Sequence, residues 1–227
     1  MKVLSTPKYA SPPRVTEIRP KEESQADTVD SYTPSKSESW APLLLATLTG
    51  ASALLSGGQA HAAEACFTTD MAIVENVELT AKLDKAVSRV DPIREKDHQI
   101  STAILDNSKP NAVACPEHNL FFTSGMVEQL SDDEMVFAVG HEYAHTRDGH
   151  LSQMMKEAEH ASPQQMREFM HRKEEEADCV GVEGLEAQGL DRTVAENALR
   201  KIGLGQRASA THPSVPSRIE NLKSCSS

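Results

Sequence analysis

The chain has 227 residues, a net charge of −11 and only 4% aromatic residues. This length allows one domain with a substantial hydrophobic core, together with a tail. The acidic balance argues against nucleic acid or an anionic membrane surface as the main partner, because both carry charge of the same sign as the chain.

The beginning of the chain differs in composition from the rest. Residues 1–39 are rich in Ser, Pro, Thr and charged side chains and contain few large apolar ones. Such a segment cannot bury enough apolar surface to offset the entropy lost on ordering, so we predict a disordered tail. No Asp, Glu, Lys or Arg occurs from Ser39 to Ala63, and the apolar part of this segment runs from Ala41 to Leu55.

Residues 40–62 are typical of the apolar region of a signal peptide. The apolar stretch is shorter than a membrane span, which needs about 20 residues. It is followed by Ala60-His61-Ala62, an A-x-A cleavage pattern. We therefore predict an exported protein, periplasmic or secreted, that is cleaved near Ala62. Two alternatives remain open: an uncleaved segment that anchors the protein in a membrane, and a cytosolic chain.

All the cysteines follow the predicted cleavage site, at Cys66, Cys115, Cys179 and Cys225. An even number of cysteines in an exported protein predicts disulfide bonds, for which three pairings are possible here. The alternative is a set of unrelated buried thiols. Because no two cysteines have the Cys-x-x-Cys spacing, the sequence does not support a structural zinc knuckle or a thioredoxin-type site.

Residues 63–227 form the predicted folded domain, which begins with a helix and short strands. Apolar residues recur at helical spacing from Thr69 to Val90, and Asp91-Pro92 ends the pattern. Short runs of β-favouring residues follow, divided by turn residues. The predicted strands cover 99–105, 111–115 and 119–123.

Further helices are predicted after the strands. Ser131 to Glu134 has the pattern of a capping box and begins a helix that Gly149 ends or bends. Ser162, followed by a proline, begins a long helix that extends towards Gly189. Two shorter helices are predicted over 191–202 and 217–224. The fold class is therefore mainly α with a small sheet.

The helix that begins at Ser131 carries VGHEYAHTRDGH over 139–150. His141 and His145 are four residues apart, so their side chains lie about 40° apart on one helical face and can bind one ion. Glu142 can lean over that ion and take a proton from water. On its own the pattern leaves two alternatives, a zinc peptidase and a helical protein that carries the motif by chance.

A catalytic zinc ion usually has three protein ligands, so a third must be found. His150 is the nearest histidine, but it follows His145 by five residues with Gly149 directly before it. On a continuous helix this offset points about 140° away from His145. We therefore predict that His150 is a surface or capping histidine.

A better third ligand lies in the acidic run Glu174-Glu175-Glu176. Of these, only Glu174 has an aspartate, Asp178, four residues later on the same helical face. In that arrangement Glu174 can bind zinc while Asp178 accepts the free N–H of a ligand histidine. Glu175 and Glu176 are predicted to be solvated.

Four blocks of sequence follow one another between about residues 111 and 222. They read NAVACPEHNLFFTSGMVEQL, VGHEYAHTRDGH, EEEADCVG and THPSVPSRI. In order and spacing they resemble the gluzincin-type zinc metallopeptidases that include the heat-shock protease HtpX, the outer-membrane quality-control protease BepA and the CAAX prenyl proteases. The resemblance implies a zincin-like α+β fold, mainly α, with a small β-sheet or hairpin and the His-Glu-x-x-His motif on its active-site helix.

The resemblance also implies roles for individual residues. It makes His141, His145 and Glu174 the ligands of one zinc ion per chain, and Glu142 the general base. It implies that His212 approaches the zinc, where it can stabilise an oxyanion or occupy the open coordination position at rest. Asp178 is expected to support a ligand histidine, and Arg218 to position the loop of His212.

The resemblance implies a substrate-binding strand as well. Residues Asn111, Ala112, Val113 and Ala114 are similar to an edge strand along which a peptide adds as an extra β-strand. Cys115 and Cys179 depart from the family pattern. A disulfide between these two would tie the substrate strand to the helix that carries Glu174.

The expected function is that of a zinc metalloendopeptidase, and the resemblance implies misfolded or misassembled exported or envelope proteins as substrates. The membrane-spanning helices of HtpX and the prenyl proteases are missing, which argues against a CAAX substrate. Protein or peptide substrates are the expected partners, without nucleic acid, and association with membrane or outer-membrane assembly machinery is a further possibility. The alternative function is a zinc-binding chaperone or assembly factor with little proteolytic activity.

Overall fold

The computed structural model describes residues 72–203 and 207–225. The predicted tail over 1–39, the segment 40–62 and Cys66 lie outside these residues. The described part combines seven α-helices with one three-stranded sheet, which confirms the predicted mainly helical α+β fold. No helix in this part is both long enough and apolar enough to cross a bilayer.

The helices and strands follow one another in an order that places the sheet early and most helices after it. They are α1 Val77–Arg89, β1 Ser101–Leu105, β2 Ala112–Cys115, β3 Asn119–Thr123, α2 Ser124–Gln129, α3 Asp132–Arg147, α4 His150–Ala158, α5 Pro163–Glu186, α6 Thr193–Ile202 and α7 Val215–Leu222.

The sheet has the order β1-β3-β2, so that β3 is central. β1 pairs with β3 in parallel, with Ala103 opposite Phe121, and β2 pairs with β3 antiparallel, with Val113 also opposite Phe121. The outer edge of β1 is bridged by Ile73 opposite Leu105. No described strand pairs with the outer edge of β2, which therefore keeps a backbone edge that can accept a further strand.

The first helix is shorter than predicted. We expected it to begin at Thr69, but α1 begins at Val77, because the Asn76 side chain accepts hydrogen bonds from the N–H groups of Glu78 and Leu79 and caps the helix there. Ile73 belongs instead to the bridge on the edge of the sheet. An apolar pair such as Ile73-Val74 fits a helical period and an extended edge equally well.

The helix that carries the His-Glu-x-x-His motif begins where the sequence predicts. Ser131 Oγ accepts the N–H of Glu134, and the Glu134 carboxylate accepts the N–H of Ser131, which is a complete capping box. Gly149 has φ 64° and separates α3 from α4, as the predicted end of this helix requires. The helix is therefore fixed at both ends around its motif.

α3 is the central element of the hydrophobic core. Val136, Phe137, Val139 and Tyr143 on this helix are 0–1% exposed. They form one cluster with buried side chains from α1, α5 and α6, among them Leu83, Leu185 and Leu199. A helix buried nearly all round offers a rigid base for the motif that it carries.

The later helices agree with prediction in part. α5 has a Ser162–Gln165 capping box with Pro163 in its first turn, as expected. α7 begins at Val215 rather than at residue 217, because Ser214 caps it and Pro216 lies in its first turn. Helix α2, capped by Thr123, lies where the first of the four resembling blocks implies a helix start. Helix α4 was not predicted, since it is short and follows directly on another element.

Two glycines bring α3 and α5 into close contact. A Cβ built on Gly181 would lie 2.6 Å from the Phe137 side chain, and one built on Gly140 would lie 3.0 Å from the Gly181 Cα. Neither helix could approach as closely with a larger residue at these positions. The contact lies beside His141 and within two turns of Glu174, so it sets the distance between the motif and the acidic run.

The structure contains a disulfide bond between Cys179 on α5 and Cys225 after α7. Cys115 is also disulfide-bonded, and no cysteine in the described part is free. The bond considered between Cys115 and Cys179 is therefore not formed. The Cys179–Cys225 bond follows Asp178 directly and closes a segment of 46 residues that includes α7.

We expect the double variant Cys179→Ala/Cys225→Ala to have a free energy of unfolding about 2–4 kcal/mol lower than the wild type, because the bond closes a long loop in the unfolded chain. Urea unfolding followed by circular dichroism measures this loss. Thiol titration under denaturing conditions should find no free thiol in the variant, which shows that the other disulfide is intact. An unchanged urea midpoint would contradict the expectation.

Candidate metal centre

Three potential ligand atoms meet where α3 faces α5. His141 Nε2 and His145 Nε2 are 3.2 Å apart. The Glu174 carboxylate reaches both histidines, with Oε2 3.6 Å from His141 Nε2 and Oε1 3.4 Å from His145 Nε2. The structure thus brings together the three residues that the sequence predicts as ligands, and together they can hold a metal ion.

The spacing of these atoms fits a small tetrahedral ion. Zn²⁺ bonds to nitrogen and oxygen are about 2.0–2.1 Å long, which separates the ligand atoms of a tetrahedral site by about 3.3–3.4 Å. The observed separations bracket this value. Glu174 Oε2 is buried and has no hydrogen-bond partner in the described part of the chain. A buried carboxylate oxygen without a donor is costly unless positive charge lies close to it. Arg218 Nη1 lies 3.8 Å away, and a metal ion bound by the three ligands would lie closer.

An ion pair behind the site orients His141. His141 Nδ1 lies 3.0 Å from Asp178 Oδ1, so this ring nitrogen can donate to the carboxylate and leave Nε2 free to face an ion. Asp178 is fully buried and receives two hydrogen bonds from Arg218, of 2.8 Å and 2.6 Å. Arg218 thus ties α7, the helix that follows the loop of His212, to Asp178 on α5.

The buried carboxylates of Glu174 and Asp178 favour positive charge beside them, and Arg218 already supplies part of it. Burial disfavours the cationic form of His141, but the hydrogen bond to Asp178 and the nearby carboxylate of Glu174 outweigh it and raise its pKa to about 10. Burial and the charge of His141 together lower the pKa of His145 to about 3. In the protein alone, a proton on His141 balances Glu174, and a bound cation can take the place of that proton.

Glu142 is placed beside this cluster as a proton acceptor. Its side chain lines the same cleft as His141 and His145. Burial raises the pKa of Glu142 to about 7. No hydrogen bond or ion pair occupies its carboxylate within the described residues. A free carboxylate with a pKa near neutrality is suited both to take a proton and to return it.

His212 approaches the cluster from the loop before α7. Its Nε2 lies 3.5 Å from Glu174 Oε2, and its Nδ1 contacts Thr211 Oγ1 at 2.8 Å. Burial lowers the pKa of His212, which favours the neutral ring. The loop therefore presents a neutral imidazole at the edge of the cluster, as the sequence predicts.

The cluster lies in a cleft of about 510 Å³. The residues 112–116 form one side of this cleft, with Ala112, Val113 and Ala114 among them, and α4 and α5 form the other. Asn111 does not line it: its N–H donates to Thr123 Oγ1 and its carbonyl accepts the N–H of Thr123. Of the predicted substrate-binding residues, 112–114 therefore face the site and Asn111 supports the sheet.

The prediction that His150 is a surface or capping histidine is wrong. The residue is 4% exposed, and its Nδ1 lies 3.0 Å from Nδ1 of His145. Because His145 turns its Nε2 towards Glu174, its Nδ1 is left to donate to His150. His150 Nε2 lies 3.4 Å from Glu176 Oε2. His150 therefore fixes the ring of His145 much as Asp178 fixes that of His141, a contact that sequence spacing does not reveal because the chain turns at Gly149.

We expect His150→Leu to weaken zinc binding by about 10–100-fold, the usual cost of losing the hydrogen-bond partner of a ligand histidine. His150→Asn, whose side-chain oxygen can stand near the position of Nδ1, should recover part of this loss. Competition with a chromogenic chelator measures the affinity. Circular dichroism of the metal-free variants checks that the fold is retained. Equal affinities for wild type and His150→Leu would show that the contact has no orienting role.

A family model described as Peptidase family M48 matches residues 74–166 of the chain. The matched segment runs from the residues before α1 to the first turn of α5. It includes the sheet and the helix that carries His141, Glu142 and His145, and it ends before Glu174. No curated protein matches the chain.

Proposed function

We propose that this chain is a zinc-dependent metallopeptidase of peptidase family M48 and that it cleaves unfolded polypeptides as an endopeptidase. The observation that carries the proposal is the grouping of His141, His145 and Glu174 within bonding range of one ion, beside the carboxylate of Glu142. Two histidines and one carboxylate form a common ligand set of catalytic zinc, which keeps a fourth position open.

His141, His145 and Glu174 would hold the zinc ion. When bound there, zinc supplies a Lewis acid that polarises a carbonyl group and makes water more acidic. Asp178 keeps the Nδ1 proton of His141 in place, and Arg218 keeps Asp178 ionised, since its guanidinium outweighs burial and lowers the pKa of that carboxyl group. These contacts fix the ligand geometry before substrate arrives.

Glu142 moves the protons of the reaction. Its carboxylate takes a proton from water as the water oxygen attacks the scissile carbonyl carbon. It then gives that proton to the amide nitrogen as the C–N bond breaks, so that one residue serves as base and then as acid. Both transfers occur at the side of the cleft that Glu142 lines.

The strand β2 and His212 bind the substrate. A peptide in extended conformation can pair with the unpaired outer edge of β2, which brings its backbone along the cleft past Glu142. His212 can donate a hydrogen bond from Nε2 to the carbonyl oxygen as negative charge develops on it. Such main-chain pairing tolerates many sequences but requires an extended chain, which favours unfolded substrates.

The proposal extends to the compartment in which the enzyme works. The uncharged segment 40–62 with its A-x-A pattern supports export, and the Cys179–Cys225 disulfide supports an oxidising compartment. Substrates would then be misfolded or misassembled exported proteins. Determining the N-terminal residue of the protein isolated from its native cell tests the export step, with a start near Ala63 as the expected result.

The activity is tested with the purified chain and an unfolded substrate such as reduced, alkylated casein. Cleavage should require zinc: it should stop after dialysis against a chelator and return when zinc is restored. Native, disulfide-bonded substrate proteins of similar size should be cleaved more slowly. Stoichiometric zinc without cleavage, accompanied by suppressed aggregation of the substrate, would instead indicate a zinc-binding chaperone.

A further inference from the structure

Helix α4 carries an apolar stripe that the core does not cover. Leu151, Met154 and Met155 have the spacing i, i+3, i+4, so they share one face of the helix. Leu151 is 42% exposed and Met155 60% exposed. None of the three belongs to a hydrophobic core cluster. An apolar helical face of this kind is unfavourable in water and indicates a surface that meets a ligand.

The stripe faces the cleft of the metal centre. Leu151, Met154 and Met155 all line this cleft, and Met170 of α5 lies beside them. α4 begins at His150, whose ring packs against the His145 ring with 5.0 Å between centroids. The apolar surface therefore starts one residue away from a side chain that contacts a predicted zinc ligand, and it is continuous with the candidate site.

The opposite side of the cleft is the outer edge of β2. A polypeptide that pairs with this edge is extended, and its successive side chains point to alternate sides. A substrate backbone held on β2 beside the metal centre can therefore direct a side chain towards α4. The cleft provides both a backbone edge and an apolar face for one extended chain.

We propose that Leu151, Met154, Met155 and Met170, here called the apolar wall, bind an apolar side chain of the substrate next to the scissile bond. This inference rests on the proposed function and names the substrate class: extended polypeptide segments that expose a large aliphatic, aromatic or methionine side chain. Such side chains are buried in folded proteins and accessible in unfolded ones. The wall thus lets the enzyme distinguish the two states.

The composition of the wall determines how narrow this selection is. Methionine is unbranched and polarisable and adapts to apolar groups of different shape. With three methionines and one leucine, the wall selects for apolar character and size rather than for one amino acid. Polar and acidic side chains are disfavoured, because their desolvation is not repaid by hydrogen bonds from such a surface.

The test uses the full chain with zinc and a set of internally quenched peptides that differ at one position. Each position flanking the cleaved bond is occupied in turn by Ala, Ser, Asp, Leu, Met or Phe, and kcat/KM is measured. At one position, Leu, Met and Phe should exceed Ser by about 10–100-fold, the effect of burying one large apolar side chain. Mass spectrometry of the products identifies the cleaved bond.

Variants of the wall connect this preference to α4. Met155→Gln, which keeps the length of the side chain but makes it polar, should lower the Leu-to-Ser ratio of kcat/KM by about 3–10-fold. Met155→Leu should keep the ratio within about twofold. Val77→Gln is the matched control: Val77 is an exposed apolar residue at the start of α1, outside the cleft, and this change should leave the ratio as in the wild type.

Equal rates for apolar and polar peptides, or an unchanged ratio in Met155→Gln, would overturn the inference while leaving the peptidase activity standing. Absence of zinc-dependent cleavage for every peptide would instead refute the proposed function. Sedimentation velocity of the wild type and Met155→Gln tests whether the wall is instead an interface between copies of the chain. If the wild type is an oligomer that this substitution dissociates, and the preference does not change, the wall is an interface between copies of the chain and not a substrate site.

Discussion

Replacing Glu142 by glutamine is expected to abolish nearly all peptide hydrolysis while the protein keeps its zinc. The amide has the shape of the carboxylate but cannot take a proton from water or deliver one to the leaving amine. Loss of a general base typically lowers the rate by about 10²–10⁴-fold. Zinc content should be unaffected, because the three predicted ligand atoms belong to His141, His145 and Glu174. Turnover of a quenched peptide and elemental analysis of the same sample measure both quantities.

Glu175→Gln provides a matched control for this change. Glu175 lies next to Glu174 in the chain but does not line the cleft, and its backbone carbonyl accepts a hydrogen bond from Asn221 that the substitution preserves. Its activity should stay close to that of the wild type. If Glu142→Gln cleaves peptides at the wild-type rate with full zinc occupancy, the proton transfers assigned to Glu142 are wrong.

The parts of the fold that could be predicted are those with a local chemical signal. The two capping boxes, at Ser131 and Ser162, fix the beginnings of α3 and α5 because side chains and backbone satisfy each other within four residues. The three strands were placed within two residues of their observed bounds. Their order in the sheet was not predicted, since pairing β1 with β3 in parallel depends on contacts between segments distant in sequence.

The boundaries of helices and strands that the sequence did not predict have either no local chemical signal or two conflicting ones. Ile73 and Val74 suit the first turn of a helix, but they lie on the edge of the sheet, where Val74 donates its N–H to the Ile104 carbonyl. α4 follows α3 after only two residues, and its apolar stripe faces a cleft instead of the core. Periodicity predicts a buried face and says nothing about which surface covers it.

The centre of the site could be read from spacing on single helices. The four-residue offset placed His141 and His145 together on α3, and the same offset to Asp178 singled out Glu174 among three adjacent glutamates. Both offsets describe one face of one helix, which the backbone geometry alone determines. The structure brings these two faces together at the contact between Gly140 and Gly181.

Contacts between elements required the structure. Arg218 reaches Asp178 across 40 positions in sequence, and His150 reaches His145 because Gly149 takes a left-handed conformation and redirects the chain. With these contacts, each ligand histidine has its second ring nitrogen held by a neighbour. These two hydrogen-bond partners differ in charge: the partner of His141 is an ionised aspartate, and the partner of His145 is an uncharged imidazole ring. His141 is therefore expected to be the stronger electron donor of the two.

The three adjacent glutamates allow a graded test of the ligand assignment. Glu174→Ala should lose most of its zinc affinity, because the variant removes one of three protein ligands and leaves two histidines to hold the ion. The loss should exceed the about 10–100-fold expected for removing a hydrogen-bond partner of a ligand, as in His150→Leu. Glu175→Ala should bind zinc as the wild type does. Chelator competition at one pH gives all of these affinities on one scale.

The loss of zinc affinity in Glu176→Ala should lie between the losses in Glu174→Ala and Glu175→Ala. The Glu176 carboxylate is half exposed, pairs with Lys173 at 2.7 Å and lies 3.4 Å from His150 Nε2. It can therefore influence zinc only through His150 and His145, and its loss should cost less than that of His150. Thermal unfolding of each variant with excess chelator checks that the metal-free proteins are folded. Equal zinc affinity for the alanine variants of all three glutamates would exclude Glu174 as a ligand. A loss that is large in Glu174→Ala, smaller in Glu176→Ala and absent in Glu175→Ala would support the assignment.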